Sequence, residues 1–294
     1  MIGIDWGITT FRAYRMTREG AIRDSRGSQR GIVSVQDNRF AETIREEIGP
    51  WLAAGEDHVL VCGMAGSRQG WKETSYTPCP AGLAELASAL VDVPFDWGKV
   101  KLVPGLSSVD ETGVADVMRG EETQVMGVLT ALGDSGLACL PGTHSKWVRI
   151  EDARIIDFAT HMTGETYAVL RGHTILSRMM REAPTDGPPF DAGVERSGQP
   201  GGLLHHIFGV RSLTLAGRLP EAESAAYLSG VLVGHEVRAA LAGKTGVVVH
   251  VIGAPDLTLL YARAIAAYGA YPERHDGEAA ARGLSLIGAA ASWD

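Results

Sequence analysis

The sequence predicts an α/β protein with two lobes, and three observations lead to that fold class. The chain has 294 residues, more than one hydrophobic core usually absorbs. Short apolar segments with strand character alternate with longer segments of helical spacing. A motif of strand, glycine turn and returning strand occurs at the start of the chain and again near its middle, which indicates one such motif in each lobe.

The first motif begins at Ile2. Ile2 and Ile4 favour a β-strand, and Gly7 permits a tight reversal that a residue with a Cβ atom would resist. Residues 11–16 supply the returning strand. The pattern therefore predicts a β-hairpin with a polar turn.

Polar groups at this turn suit a phosphate. Backbone amides of a glycine-containing turn, together with the hydroxyls of Thr9 and Thr10, can donate hydrogen bonds to phosphate oxygens. Asp5, near the end of the first strand, is placed to hold Mg²⁺ through water. Taken alone, this segment fits an ordinary N-terminal hairpin equally well.

The second motif runs from an apolar strand at residues 137–140 into a glycine turn and a returning strand. Leu140 stands where the first motif has Asp5, so this hairpin has no acid that could hold Mg²⁺ by itself. The basic side chains that follow favour contact with phosphate instead. The phosphate-binding candidates here are Gly142, Thr143, His144, Ser145 and Lys146.

Composition and charge exclude several classes of function. A net charge of -8 argues against a nucleic-acid footprint and against an anionic membrane surface. No apolar run approaches the roughly 18 residues of a membrane span, and strand-like sequence begins at Ile2, so we expect a cytoplasmic protein. Cys62, Cys79 and Cys139 are far apart and form no C-x-x-C pair, so they predict neither a disulfide framework nor a cysteine-based zinc site.

The rest of the chain is assigned from its periodicity. Helices are predicted over residues 39–53, 80–91, 125–132, 161–170, 221–241, 257–268 and 277–291. Further strands are predicted over residues 21–25, 59–62, 100–103, 153–160 and 247–252. Residues 104–124 are predicted to form a loop, and residues 182–200 a surface excursion rich in Pro, Gly and Asp.

Two acids at a predicted helix start are candidates for a general base. Glu121 and Glu122 fall in the first turn, where the helix dipole favours carboxylates for purely structural reasons. A carboxylate held firmly there could also deprotonate a substrate hydroxyl. Asp116, in the preceding loop, is the third candidate, and the sequence does not separate the first two.

A glycine-rich loop at residues 63–71 is a candidate for ligand contact through Gly66, Ser67 and Arg68, although a purely structural loop would look similar. An anionic substrate requires a cation. Arginine suits this role best, because its guanidinium can form bidentate hydrogen bonds with a carboxylate. Arg119 is the first choice, Arg12 the second, and Arg68 the third. A solvated salt bridge is an equally good explanation for each of these arginines.

A third glycine turn follows the apolar strand at residues 247–252. Gly253 and Ala254 connect this strand to a helix, and such a turn can lie flat against an adenine or ribose. The nearby Gly243-Lys244-Thr245 is not a P-loop, because Arg238 stands where the motif requires its first glycine.

Together, residues 2–7, the second hairpin and the turn at Gly253 resemble the superfamily of acetate and sugar kinases, heat-shock ATPases and actin. Within it, the chain is similar to 2-dehydro-3-deoxygalactonokinases over nearly its whole length. The segments that carry this resemblance are Gly63–Ser67 with Gly70-Trp71, Met118–Gln124, Pro141–Trp147 and Met162–Glu165.

The resemblance implies an actin-like, ribonuclease H-like ATPase fold with a mixed sheet flanked by helices in each lobe. The lobes would span residues 1–120 and 121–276, with the helix in 277–294 packed back on the first. It also implies ATP and Mg²⁺ as cofactors and closure on a small sugar-acid substrate. The implied reaction transfers the γ-phosphate to the C6 hydroxyl of 2-dehydro-3-deoxy-D-galactonate, in galactonate catabolism.

The same resemblance implies roles for particular residues. Asp5 would organise Mg²⁺, the two hairpins would bind the ATP phosphates, and Gly253 with Ala254 would flank the nucleoside. Thr163 and Glu165 would contact the substrate. The chain departs from the superfamily in its acid-free second hairpin, which puts metal coordination more heavily on Asp5, and in Gly253-Ala254, where paired glycines are common.

Other functions stay open at this point. A kinase of the same fold acting on another sugar or sugar acid is one, and a non-catalytic sugar-responsive regulator is another. Hydrolase chemistry at Thr143, His144 and Ser145 is disfavoured, because neighbours along a strand point to opposite faces and no G-x-S-x-G motif is present. The sequence leaves the stereochemical preference at C4 and the oligomeric state undecided, with a homodimer as one option.

Overall fold

A computed structural model describes residues 1–17, 19–133, 135–180 and 186–293. The strands are β1 (Ile2–Trp6), β2 (Phe11–Met16), β3 (Ile22–Ser28), β4 (His58–Gly63), β5 (Tyr76–Pro78), β6 (Val91–Val93), β7 (Lys99–Leu102), β8 (Gly105–Val109), β9 (Ala115–Met118), β10 (Ser135–Leu140), β11 (Ser145–Glu151), β12 (Arg154–His161), β13 (Val248–Ile252) and β14 (Tyr271–His275). The α-helices are α1 (Phe40–Ala53), α2 (Leu83–Ser88), α3 (Glu121–Met126), α4 (Leu129–Leu132), α5 (Thr163–His173), α6 (Pro188–Ser197), α7 (Gly202–Leu215), α8 (Ser224–Ala240), α9 (Pro255–Ala267) and α10 (Ala279–Ala290).

The chain forms two compact units. The first contains Met1–Ser135, Val148–Phe158 and Gly277–Asp294, and the second contains Gly136–Trp147 and Ala159–Asp276. This division places α3 and α4 in the first unit, whereas the sequence put the boundary at residue 120. The reason is packing between α3 and α10, which is so close that a Cβ atom at Gly283 would lie 1.8 Å from the carbonyl oxygen of Thr123.

The first unit is built on a six-stranded mixed sheet with the order β3-β2-β1-β4-β7-β6. β1 pairs antiparallel with β2 and parallel with β4. Helix α1 buries Phe40, Ile44, Ile48 and Trp51 in the core beside this sheet, as its helical spacing predicts. The register places Asp5 between Arg12 on β2 and Cys62 on β4, so the first hairpin lies beside the strand that leads into the glycine-rich loop.

The predicted loop over residues 104–124 was wrong. Instead of a continuous loop, they contain the antiparallel pair β8 and β9, which joins β5 in a small three-stranded sheet. A half-buried strand is recognised by alternating apolar and polar residues. Val109, Val114 and Val117 are apolar but exposed, so this alternation is absent and the two strands were missed. Asp116 therefore lies in β9 and not in a loop.

The second unit contains β13, β14 and most of β10, from a five-stranded mixed sheet with the order β12-β11-β10-β13-β14. β13 pairs in parallel with both β10 and β14. The strand at residues 247–252 and the helix that follows it were predicted correctly. Strand β14 and helix α7 were not predicted.

A second correction concerns residues 182–200. Residues 182–185 lie outside the described part of the chain, but 188–197 form helix α6, which packs on α8. A Cβ atom at Gly230 would lie 2.0 Å from the carbonyl oxygen of Phe190, and one at Gly193 would lie 2.2 Å from that of Tyr227. Small residues thus let the two helices approach closely.

Among the described residues, no helix combines the length and the apolar character that crossing a bilayer demands. The predicted mixed sheets with flanking helices are present in the part of the chain that is described.

The α6–α8 contact gives a stability prediction. In Gly230→Ala the new methyl group meets backbone atoms of α6, so the helices must separate, and we expect a loss of about 1–3 kcal/mol in the free energy of unfolding. Gly172→Ala is the matched control, because its Cβ has no atom within 4 Å and alanine favours a helix by about 0.5–1 kcal/mol. Urea unfolding of both variants measures the difference. Equal stability of the two would contradict the packing argument.

Candidate active site

The first candidate site residue is Asp5, near the end of β1. Its Oδ1 atom lies 4.0 Å from the Sγ atom of Cys62, and Arg12 lies opposite on β2. Burial raises the pKa of Asp5, and the charge of Arg12 opposes that rise. The negative charge of Asp5 is therefore unfavourable where it stands, and a cation in addition to Arg12 would stabilise it. Because the side chain is partly exposed, such a cation can reach it.

Two glycines bring the start of α3 close to Asp5. Gly63 has φ +87° and Gly120 has φ +104°, a region that disfavours residues with a Cβ atom. A Cβ atom at Gly120 would lie 3.2 Å from the Cα atom of Gly63, and one at Gly63 would lie 3.5 Å from Oδ1 of Asp5. The candidate metal ligand and the candidate bases therefore belong to one region of the first unit.

The two glutamates at the start of α3 differ in their surroundings. Glu122 is fully buried, and its Oε2 and Oε1 atoms accept hydrogen bonds from the Gly120 amide at 2.6 Å and the Thr123 hydroxyl at 2.8 Å. Burial, followed by the charge of Glu121, raises the pKa of Glu122 to about 7. Glu121 is partly exposed, and its Oε2 atom accepts from the Arg119 amide at 3.0 Å. The two residues thus have unequal access to a substrate.

Arg119 lies beside the glycine-rich loop. Its Nη2 atom donates to the carbonyl oxygen of Thr74 at 2.9 Å, its Nη1 atom donates to the Thr74 hydroxyl, and its guanidinium lies 4.5 Å from the centre of the Tyr76 ring. A Cβ atom at Gly66 would lie 2.8 Å from Nη1 of Arg119. The two predicted residues Gly66 and Arg119 therefore lie next to each other in the structure.

Two buried polar atoms in this region have no protein partner. They are Nε of Arg119 and the hydroxyl oxygen of Ser67, a residue that is 7% exposed. Buried polar groups are normally hydrogen-bonded, so each of these two atoms could take a water molecule or a polar ligand as its partner. Thr74 and Tyr76, which fix Arg119, were missed, because an isolated Thr or Tyr carries no sequence pattern.

The other candidates of the first unit are positioned differently. Arg68 is exposed, and its Nε atom forms an ion pair with Glu73 at 3.5 Å, which is the salt-bridge alternative stated above. Asp116 accepts a hydrogen bond from the adjacent Val117 amide within β9. Arg12 is exposed beside Asp5.

The turn of the first hairpin is held by backbone contacts. The Gly7 amide donates to the carbonyl oxygen of Thr10 at 2.9 Å, which closes the turn. A residue outside the hairpin also contacts the turn, because the Ile32 amide donates to the carbonyl oxygen of Gly7 at 3.0 Å. Thr9 is exposed and Thr10 is partly exposed, so their hydroxyls are available at a firmly held turn.

In the second unit, the start of α5 packs against the turn of the second hairpin. A Cβ atom at Gly164 would lie 2.3 Å from the carbonyl oxygen of Gly142, and the Glu165 amide donates to that of Thr143 at 3.0 Å. The Glu165 carboxylate also contacts Nε2 of His144, and both side chains are about half exposed. Thr163 and Glu165 thus lie beside three of the predicted phosphate-binding residues.

Ser145 requires a correction. It is fully buried, and its hydroxyl lies 2.8 Å from that of Tyr261, which donates to Glu236 at 2.6 Å. Trp147 donates to the other oxygen of Glu236 at 2.8 Å. The Ser145 hydroxyl therefore belongs to a buried network and not to the exposed turn. Lys146 is also buried, at 4% exposure.

The third glycine turn lies at the end of β13, the parallel neighbour of β10. Gly253 has φ +152°, and a Cβ atom there would lie 3.6 Å from the carbonyl oxygen of Pro141. Ala254 is exposed and precedes α9. Ligands of α/β proteins typically bind at the carboxyl ends of parallel strands, which is where the turns at Gly142 and Gly253 lie.

Comparison with known proteins decides the family. The family model described as 2-keto-3-deoxy-galactonokinase matches residues 5–287. The chain belongs to this family. The predicted enzyme class, a phosphotransferase with an alcohol acceptor, is thereby confirmed, and so is the resemblance on which it was based.

Individual members of the family are similar over most of their length. A protein of Rhizobium meliloti (strain 1021) named as a probable 2-dehydro-3-deoxygalactonokinase is 37% identical over 99% of this chain and 96% of its own. The 2-dehydro-3-deoxygalactonokinase of Escherichia coli (strain K12) is 34% identical over 80% of this chain and 78% of its own.

Solved structures agree on the fold. A crystal structure from Sinorhizobium meliloti, assigned as a 2-dehydro-3-deoxygalactonokinase, has a TM-score of 0.88 at 36% identity and covers 97% of both chains. The activator of 2-hydroxyisocaproyl-CoA dehydratase from Clostridium difficile, with bound ADPNP, has a TM-score of 0.52 at 14% identity and covers 99% of this chain and 95% of its own. The second likeness concerns the fold alone, and the predicted actin-like ATPase fold is confirmed.

The raised pKa of Glu122 predicts how stability depends on pH. A pKa raised from 4.5 to about 7 means that the folded protein binds this proton more tightly than the unfolded chain. The resulting stabilisation is complete at low pH and is lost as the pH rises through 7, by about 3 kcal/mol in total. Glu122→Gln lacks this dependence, because an amide does not titrate in this range. Its oxygen can accept from the Gly120 amide, and its NH2 group can donate to the Thr123 hydroxyl.

Urea unfolding of wild type and Glu122→Gln at about pH 5 and about pH 8 measures this effect. We expect the difference in unfolding free energy to move in favour of the variant at the higher pH. A difference that does not change with pH would show that Glu122 titrates normally.

Proposed function

We propose that the chain transfers the γ-phosphate of ATP to the C6 hydroxyl of 2-dehydro-3-deoxy-D-galactonate, a step of galactonate catabolism. The observation that carries this proposal is the group formed by Arg119, Ser67 and Glu121 in the first unit. It offers a fixed guanidinium, an unpartnered hydroxyl and a partly exposed carboxylate, which suit a substrate that carries both an acid and a hydroxyl group. The names of the relatives support the same substrate.

The substrate carboxylate binds to Arg119. Thr74 and Tyr76 hold its guanidinium on one edge and one face, which leaves Nε without a protein partner. A charge-assisted hydrogen bond to a carboxylate would satisfy this donor. Ser67 and Gly66 border the same place, and Arg12 is the second candidate because it stands next to Asp5. We also propose contacts with the substrate for three further residues, Arg68, Thr163 and Glu165.

The general base is Glu121. Transfer to the C6 hydroxyl requires a carboxylate that can reach the hydroxyl and accept its proton as the oxygen attacks phosphorus. Glu121 is partly exposed, whereas the two oxygens of the fully buried Glu122 accept hydrogen bonds from Gly120, just before α3, and from Thr123 within it. Glu122 therefore stabilises the helix start that carries Glu121. Asp116, whose carboxylate bonds to its own strand, is the weakest candidate.

Asp5 would hold Mg²⁺. Oxygen ligands suit this hard cation, which neutralises phosphate charge when bound. Burial makes the charge of Asp5 costly unless a cation compensates it.

The phosphates of ATP would contact backbone amides and hydroxyls at the turns. The residues proposed for these contacts are Gly7, Thr9, Thr10, Gly142, Thr143 and His144, with the buried Ser145 and Lys146 through their backbone only. Gly253 and Ala254 would flank the nucleoside. Cytoplasmic location and a homodimer stay predictions.

A pair of matched variants tests the base. We expect Glu121→Gln to lower kcat by about 10²- to 10⁴-fold, because the proton of the C6 hydroxyl loses its acceptor. Glu122→Gln should stay within about tenfold of wild type if it acts only on the helix start. ADP release in a coupled assay measures turnover, and circular dichroism checks folding. The reverse order of the two variants would move the role of base to Glu122.

The substrate itself is tested by a panel of acceptors. Phosphorylation of 2-keto-3-deoxy acids and neutral hexoses is compared in wild type, Arg119→Lys and Arg68→Lys. Loss of the two-pronged guanidinium at Arg119 should raise KM for the acid about 10- to 100-fold, which corresponds to a charged hydrogen bond of about 1.5–3 kcal/mol. The rise in KM should be smaller for Arg68→Lys, since Arg68 is 81% exposed. Better turnover of a neutral hexose by wild type would refute the sugar-acid proposal.

A further inference from the structure

Three potential metal ligands meet on the last two strands of the second sheet. His250 lies on β13, and Glu273 and His275 lie on β14, the edge strand. The parallel register places His250 beside Glu273 and Ile252 beside His275. Residues two apart on a strand share a face, so the two β14 side chains stand on the same side of the sheet.

The ligand atoms are close to the spacing that a metal ion imposes. Nδ1 of His250 lies 2.9 Å from Nε2 of His275 and 3.6 Å from Oε2 of Glu273, and all three ligand atoms lie within 4.8 Å of one another. In a tetrahedral zinc site with bonds of about 2.0–2.1 Å, ligand atoms are about 3.4 Å apart. Small side-chain movements would therefore be enough to bring the three atoms around one ion.

The types of ligand favour one class of cation. Imidazole nitrogens suit Zn²⁺, Ni²⁺, Co²⁺ and Cu²⁺, whereas Mg²⁺ prefers oxygen ligands. Two histidines with one carboxylate leave a fourth position for water. His250 is only 5% exposed, but Glu273 is exposed on the edge strand, so an ion can enter from solvent.

We propose that His250, Glu273 and His275 form a binding site for a late first-row divalent cation such as Zn²⁺. The alternative is a hydrogen-bonded histidine pair with an adjacent carboxylate and no affinity for metal.

A metal at this site would also stabilise the turn after β13. Arg274, between the two β14 ligands, donates from Nε to the Thr258 hydroxyl at 3.0 Å and from Nη2 to the carbonyl oxygen of Pro255 at 2.9 Å. These atoms belong to the start of α9, directly after Gly253. Tying β14 to β13 through a metal would therefore restrain both strands that support this turn.

The test uses the full-length, untagged protein after removal of metal with a chelator. Calorimetric titration with ZnCl₂ in excess Mg²⁺ should show one site in wild type, and Glu273→Gln should weaken its affinity at least about tenfold. His275→Ala should abolish it. His205→Ala, which removes an exposed histidine on α7, is the matched control and should bind like wild type. Zn²⁺ should raise the Tm of wild type and of the control, because it binds the folded state.

Co²⁺ provides a readout that does not depend on stability or activity. Wild type loaded with Co²⁺ should show the visible absorption of a tetrahedral site, and Glu273→Gln should reduce it. Because Glu273 is exposed, this variant carries the test even if His275→Ala fails to fold. Equal zinc affinity in Glu273→Gln and His205→Ala, or absence of a zinc site in wild type, would overturn the proposal.

Discussion

The first unit depends on the close backbone contact between Gly63 and Gly120. Both residues adopt positive φ angles. A Cβ atom at Gly120 would lie 3.2 Å from the Cα atom of Gly63, and one at Gly63 would lie 2.7 Å from the carbonyl oxygen of Trp6. The contact fixes the end of β4 against the start of α3. As a result, Asp5 from the first hairpin, Arg119 and the α3 glutamates belong to one region, although they are far apart in sequence. A Cβ atom at Gly120 would press on the end of β4, and one at Gly63 would press on the end of β1.

The same contact explains why two adjacent glutamates have different properties. Glu122 turns inward and accepts the Gly120 amide, so it satisfies one of the orphan donors at the start of α3. Burial then raises its pKa, with the charge of Glu121 as a second contribution. The pair therefore divides into a buried structural acid and an accessible carboxylate.

Much of the fold was predictable because its signals are local. Helix α1 has a regular apolar face, and the hairpin from Ile2 to Met16 has its glycine turn. The β8–β9 hairpin and helix α6 were missed, because exposed valines obscure the first and Pro and Gly near its start obscure the second. In the candidate site, the sequence suggested Arg119 but not Thr74, whose contact with Arg119 depends on the tertiary fold.

Ser145 shows most clearly what a local pattern omits. Its position after a glycine turn predicts an exposed hydroxyl, yet that hydroxyl contacts Tyr261, which with Trp147 also bonds to Glu236. Leaving the buried Glu236 without these donors would be costly, since an unpaired buried carboxylate loses its hydration without compensation. The network therefore sets the direction of the first residues of β11. Only the preceding turn, from Gly142 to His144, stays accessible, and side-chain contacts with phosphate at this hairpin should come from there.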